Sequence, residues 1–321
     1  MTELLAQLPA SITAAAARIE AHILTTPTTL SLWRDDFELL LKCEHLQHTG
    51  SFKLRGALNR LLSLTDSERA SGVIAASTGN HGQGIARAAQ VTGVSATVYV
   101  PETASPVKLA AMRAMGVAVE TVDGDGLAAE LTARAAAEAE GRVFVSPYND
   151  AQVIAGQGTV GLELLSQTSV LDAIFVSAGG GGLISGTAAI LKSQNPALEV
   201  YGCWPENAPT LARCLEAGVI ANIDELPTIS DGTAGGLEDS AITFELCQQL
   251  IDHRVLVSEA QIGKAMRLLA ENERWIVEGA AGVALAGALQ QAPELAGKRV
   301  AVVLCGRNID FARFCDATAY A

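Results

Sequence analysis

Short apolar runs of strand length alternate along this chain with longer stretches whose apolar positions recur at helical spacing. The runs that predict strands are Glu38–Lys42, Val73–Ala76, Ala96–Val100, Ala118–Val122, Val143–Val145, Ala173–Ser177, Glu199–Cys203 and Val300–Leu304. Helical periodicity falls on Gly84–Thr92, Pro106–Met115, Gly126–Glu140, Gly156–Leu165, Ile184–Gln194 and Glu259–Asn272. Most of the strand candidates are nearly unbroken Val, Ile and Ala, the pattern of parallel strands covered on both faces. Each is followed by a crossover helix, so the fold class is α/β with parallel-rich open sheets. Gly72, Gly93, Gly116 and Gly141 stand where helices hand over to strands, as helix C-caps do. The β-α units of residues 72–147 are therefore expected as a small domain set into a larger one made of residues 1–71 and 148–321. Ligands of open α/β sheets bind beyond the carboxyl ends of strands, often where two halves meet.

Composition removes several classes of function. The 321 residues suffice for one large or two modest domains. With 49% hydrophobic against 18% charged residues the chain is globular. Acidic residues outnumber basic ones 35 to 22, a net charge of −13, and no Lys/Arg-rich block interrupts that excess. Nucleic acid and anionic membrane surfaces are thus poor partners. The six cysteines form no C-x-x-C pair and no zinc-like spacing with histidine. The segment Met1–Ala17 lacks a basic leader region, and no run of about 18 apolar residues exists to span a membrane. A reducing cytoplasm is the expected location.

Three segments carry candidate chemistry. Gly179-Gly180-Gly181-Gly182 follows the strand Ala173–Ser177 and precedes a helix starting near Leu183. Four glycines in a row are costly in backbone entropy, and their use is close approach of bare N–H groups to an anion at a helix N-terminus. A tight turn is the competing explanation. Nucleotide motifs fail on their defining residues. Ser185 stands where G-x-G-x-x-G needs its last glycine, and Thr187 where a P-loop needs lysine. The second segment, Ser77-Thr78-Gly79-Asn80-His81-Gly82, follows Val73–Ala76 and offers hydroxyls, a carboxamide and an imidazole for a carboxylate and a ring oxygen. By itself it also reads as N-cap chemistry, with His81 a structural hydrogen-bonding residue. The third holds Lys53, between Phe52 and Leu54, where partial desolvation would lower its pKa and free the amine for imine formation. An ordinary snorkelling lysine fits the same local pattern.

Taken together, S-F-K-L-R-G-A, S-T-G-N-H-G, V-I-A-G-Q-G-T, G-G-G-G-L-I-S-G and C-G-R-N-I-D resemble the fold-type II pyridoxal-phosphate enzymes, specifically threonine/serine dehydratases (ammonia-lyases) and serine racemases. The resemblance runs from about Thr26 to Asp310. It implies the tryptophan-synthase-β-like fold, with pyridoxal 5'-phosphate in the cleft between two domains. The implied catalytic residues are Lys53, Ser77 and Thr78, with Lys53 carrying the cofactor and acting as base at the substrate Cα. Phe52 would lie against the cofactor ring, Asn80 would bond its hydroxyl, and Gly179, Gly180, Gly181, Gly182 and Leu183 would hold its phosphate. Gly232 would approach the ring, Glu278 would lie near the imine, and Cys305 would face the ring nitrogen. Substrate contacts are implied for Ser77, Thr78, Gly79, His81 and Tyr148. The implied reaction is β-elimination from L-threonine or L-serine to a 2-oxo acid and ammonia, in a homodimer. A cysteine at the ring nitrogen is a weak donor rather than an anion, which suits a substrate that promptly expels its β-hydroxyl. A racemase, and a binding module without catalysis, are the competing readings.

The chain departs from that pattern in places. Where relatives place a Glu before Pro and an Asp shortly after, this chain has Trp204 and Thr210, so no divalent-cation site is expected unless Glu206 shifts to serve. Thr78 stands where many dehydratases have Ala and racemases Ser, which keeps a hydroxyl available for racemisation or simply for loop packing. Arg307 replaces a usual Gly, as a surface or interface residue, as a partner for a second carboxylate such as that of 3-hydroxyaspartate, or as a group that tunes the ring. Tyr148 should wall the β-substituent pocket, which leaves phenylserine open as a substrate.

Overall fold

The structure, a computed structural model, describes residues 3–104 and 106–319. Among the described residues ten strands form two sheets. They are β1 (Thr28–Ser31), β2 (Glu38–Lys42), β3 (Val73–Ala76), β4 (Ala96–Pro101), β5 (Ala118–Val122), β6 (Val143–Phe144), β7 (Ala173–Ser177), β8 (Glu199–Pro205), β9 (His253–Val257) and β10 (Arg299–Val303). The larger sheet has the order β1-β2-β10-β7-β8-β9, and the smaller β5-β4-β3-β6. Among the described strands only the β1–β2 pair is antiparallel, and the other strand pairs are parallel. The parallel α/β architecture expected from the unbroken apolar runs is therefore the observed one.

The two strands that apolar patterning does not mark, β1 and β9, are the two edges of the larger sheet. An edge strand faces solvent along one side, and both mix exposed with buried positions. Helix Gly279–Gln290 also escapes periodicity, because residues Gly279–Ala288 are buried on all sides. Helix caps follow ordinary chemistry. Gly93 and Gly141 are left-handed C-caps, and Gly72 and Gly116 also take positive φ.

A row of glycines sets the position of the helix Lys53–Leu62. It crosses helix Ala151–Gln167 so closely that a Cβ on Gly156 would lie 2.6 Å from the Arg55 carbonyl oxygen, and one on Gly56 2.4 Å from Gln157 Nε2. Gly186, in helix Gly182–Gln194, likewise admits no Cβ, which would fall 2.4 Å from the Ile154 carbonyl. This packing accounts physically for the segment V-I-A-G-Q-G-T. Behind the crossing lies a buried ionic cluster. Arg55 donates to both oxygens of Glu44 (2.7 and 2.8 Å) and to Glu163, and Lys42 Nζ bonds Glu163 at 2.5 Å. The smaller core does not stop at residue 72. Leu54, Leu58, Leu61 and Val153 pack in it with Ile85, Val98 and Val100.

Candidate active site

Four helices begin at the wall of one cleft. Lys53 opens helix Lys53–Leu62, Asn80 opens Asn80–Thr92, Gly182 opens Gly182–Gln194, and Glu278 caps Gly279–Gln290. Two of these beginnings, at Asn80 and Gly182, follow the carboxyl ends of β3 and β7 within one tight connection. Each helix N-terminus presents unpaired N–H groups and a partial positive charge, so the cleft is suited to anions. Its cavity measures about 900 Å³. Phe52, Lys53, Ser77, Thr78, Gly79, Asn80, His81, Tyr148, Gly179, Gly180, Gly181, Gly182, Leu183, Gly232, Glu278 and Cys305 all line it. Residues more than 250 positions apart in the chain thus meet in one place.

The glycine loop is bare for a reason visible in its packing. A Cβ on Gly180 would strike the Tyr148 ring at 2.3 Å, one on Gly181 the Cys247 sulfur at 2.7 Å, and one on Gly179 the Thr233 backbone at 3.1 Å. Gly181 adopts φ +85°. The N–H groups of Gly179, Gly180, Gly181, Gly182 and Leu183 meet no acceptor among the described residues. Five unclaimed donors at the start of a 13-residue helix form a cradle for a phosphate group. A second set lies across the cleft, where the N–H groups of Thr78, Asn80 and His81 also find no protein acceptor. Helix Asn80–Thr92 starts four residues before its apolar periodicity does, so Asn80 and His81 sit in its first turn.

Lys53 Nζ donates to the Pro147 carbonyl at 2.9 Å and lies 5.2 Å from the Phe52 ring centroid. Burial lowers its pKa to about 8, against a partial upward pull from Cys305 and Glu278. The desolvation expected from its apolar neighbours is therefore present. Burial also pushes the Cys305 thiol up, with the Glu278 carboxylate adding to the effect, so Cys305 stays protonated. Ser177 donates to its sulfur at 3.6 Å. His81 is buried, and burial together with the Lys53 charge lowers its pKa to about 3. Its Nε2–H donates to the Val145 carbonyl at 2.9 Å, which leaves Nδ1 as a buried acceptor.

Sequence reasoning named no role for several lining residues. Glu238 links the irregular segment before helix Ile242–Leu250 to the opposite wall: it accepts from Ser146 (3.1 Å), Asn149 (2.7 Å) and Arg134 (2.6 Å), and its N–H donates to the Tyr148 hydroxyl at 2.9 Å. Asn308 lies within the quoted C-G-R-N-I-D segment and bonds Asn80, Glu278 and Thr49. Arg307 is exposed and is not among the lining residues, which favours its reading as a surface residue. Of the positions weighed above for a cation, Trp204 is fully buried and Thr210 donates to Glu225 at 2.5 Å, while Glu206 is exposed. Among the described residues no group of three or more His, Cys, Asp or Glu side chains is placed to hold a metal ion.

A free amine of lowered pKa, a carboxamide and five open amides in one cleft fit an aldehyde-bearing aromatic phosphate. Comparison with known proteins agrees. The family described as "Pyridoxal-phosphate dependent enzyme" matches residues 19–306. The chain is 41% identical to the L-threonine ammonia-lyase of Thermotoga maritima over 85% of its own length and 68% of that protein's. It superposes on the processed form of threonine deaminase isoform 2 from Solanum lycopersicum with TM-score 0.95 and 32% identity, covering 100% of this chain and 94% of that one. Serine racemase from Dictyostelium discoideum gives TM-score 0.87 and 37% identity, covering 94% and 98%.

Proposed function

This chain belongs to the pyridoxal-phosphate dependent enzymes, and from that premise we propose that it converts a β-hydroxy-α-amino acid, L-threonine or L-serine first, to a 2-oxo acid and ammonia. The observation that carries the reading is the pairing of a lysine amine of pKa about 8 with unclaimed main-chain donors in one cavity. Pyridoxal phosphate, when bound, supplies the electron withdrawal that makes the substrate's Cα–H acidic. The amides of Gly179 to Leu183 would hold its phosphate, and Lys53 is the amine that would meet its aldehyde. Lys53 is also the base that takes the Cα proton, since an amine of lowered pKa is neutral often enough near neutrality to accept one. Ser77, Thr78 and the open amides of helix Asn80–Thr92 hold the substrate carboxylate. Cys305, kept as a thiol, would place no negative charge beside a bound cofactor's ring, which would favour a substrate that loses its β-hydroxyl at once. Tyr148, ring against the glycine loop, bounds the β-substituent.

A second reading has its own observation: the Thr78 hydroxyl lines the cavity and is free to serve as an acid in racemisation. We also read residues 72–147 as a domain set into residues 1–71 and 148–321. A cytoplasmic location rests on cysteine usage, and a homodimer on family resemblance. The decisive experiment is keto-acid release from both enantiomers of threonine, serine, phenylserine and 3-hydroxyaspartate, with chiral analysis of recovered serine. Turnover of L-threonine or L-serine that is lost in Lys53→Ala supports the proposal. D-serine formation outpacing keto-acid release would replace it with the racemase.

A further inference from the structure

Asn308 lies three residues beyond Cys305 and lines the same cavity. Its Nδ2 donates to the Thr49 carbonyl at 2.8 Å and to Asn80 Oδ1 at 2.5 Å. A main-chain carbonyl only accepts, so the bond to Thr49 determines which end of the Asn308 amide is nitrogen. With that N–H directed at Asn80, the facing atom of Asn80 must be its oxygen. Asn80 Nδ2 is then turned to the other side, where it donates to Glu278 Oε1 at 2.7 Å. The second oxygen of Glu278 accepts from the Asn308 main-chain N–H at 3.0 Å. Every bond in this chain has one permitted direction, starting from a backbone oxygen four residues before Lys53. Asn308 is itself clamped. A Cβ on Gly50 would meet its Oδ1 at 2.7 Å, and Gly50 has φ +72°.

We propose that Asn308 is a positioning residue that holds the Asn80 amide with nitrogen on the Glu278 side of the cleft, so that Asn80 offers a bound cofactor's ring oxygen a donor rather than an acceptor. The proposal rests on the reading of the cleft as a pyridoxal-phosphate site. Asn308→Asp keeps the shape but replaces the donor by an acceptor, which attracts Asn80 Nδ2 and reverses that amide.

The test measures the dissociation constant of pyridoxal phosphate and the visible spectrum of the loaded protein for wild type, N308D, N80A and the double variant, with thermal unfolding alongside. N308D is expected to weaken cofactor binding about tenfold or more, the size of one hydrogen bond to a charged oxygen, and to shift the absorption band. Neither change should appear when N308D is added to N80A. N308A, which removes the donor without adding charge, should show the same dependence on Asn80 at smaller size and serves if the aspartate disturbs folding. Wild-type binding and spectrum in both Asn308 variants, or an equal loss with and without Asn80, would overturn the proposal and leave Asn308 a strut. A wild-type protein that takes up no pyridoxal phosphate would instead sink the reading of the cleft itself.

Discussion

Lys53 is the residue whose chemistry is most exposed to test. Its pKa of about 8, set by burial, means the neutral amine is available two to three units below the usual lysine range of 10.5. Uptake of pyridoxal phosphate by the empty protein should therefore rise with pH and reach half its maximum near pH 8. A midpoint near that of free lysine would show that the amine is solvated. Gly232 makes a second case at this scale. An added Cβ would meet only Ala280 and Glu278 at 3.5 and 3.7 Å, ordinary contacts. Gly232→Ala should thus fold with an unchanged melting temperature while weakening cofactor or substrate binding, because the new methyl intrudes on the cavity alone. A matching loss of stability would contradict that account. Residue types in the three quoted segments made most of the cavity wall legible from sequence, since glycine runs and a lone lysine are unusual without a use. Asn308 was not legible as a working residue, because the carbonyl that orients it belongs to Thr49, 259 positions away. No local pattern reports such a partner.

At the scale of elements, the crossing of helices Lys53–Leu62 and Ala151–Gln167 determines where the amine stands. Gly156→Ala would place a methyl 2.6 Å from the Arg55 carbonyl and from the Gly56 Cα, so the helices must separate. The expected cost is about 1–3 kcal/mol of stability, read as a lower unfolding midpoint in urea. A fall in kcat should accompany it as Lys53 is displaced. Retained turnover with lost stability would mean that the crossing supports the fold without aligning the lysine. The same elements show what patterning can and cannot reveal. Central strands β3, β7 and β10 are read almost to the residue because they are buried on both faces. Edge strands β1 and β9 are missed because exposed and half-buried positions interrupt their apolar runs. Helix Asn80–Thr92 is read late because its first turn, Asn80-His81-Gly82-Gln83, is spent on the cleft and carries no apolar repeat.

Over the whole molecule, the buried cluster of Lys42, Glu44, Arg55 and Glu163 joins the larger sheet to the helix bearing Lys53. Burial pushes Glu44 up, but the charge and hydrogen bonds of Arg55 outweigh it and hold the carboxyl below its ordinary 4.5. A carboxyl depressed in the folded state contributes stability that is complete above its unfolded value and lost as pH falls through the folded one. Acid unfolding should therefore set in below about pH 4.5. Arg55→Met strands Glu44 in the interior and should cost about 3–5 kcal/mol, visible as a lower melting temperature at pH 7. That deficit should shrink as the pH is lowered, because protonation of Glu44 relieves it.

The helix that carries Lys53 has dual citizenship. Its apolar side, Leu54, Leu58 and Leu61, is packed into the smaller core, while Arg55 is moored to Glu44 and Glu163 in the larger body. Any widening of the gap between the two sheets must either strip those leucines or drag that mooring. Lys53 is thereby tethered from both sides at once, and any separation of the two layers acts on the very element that carries its amine.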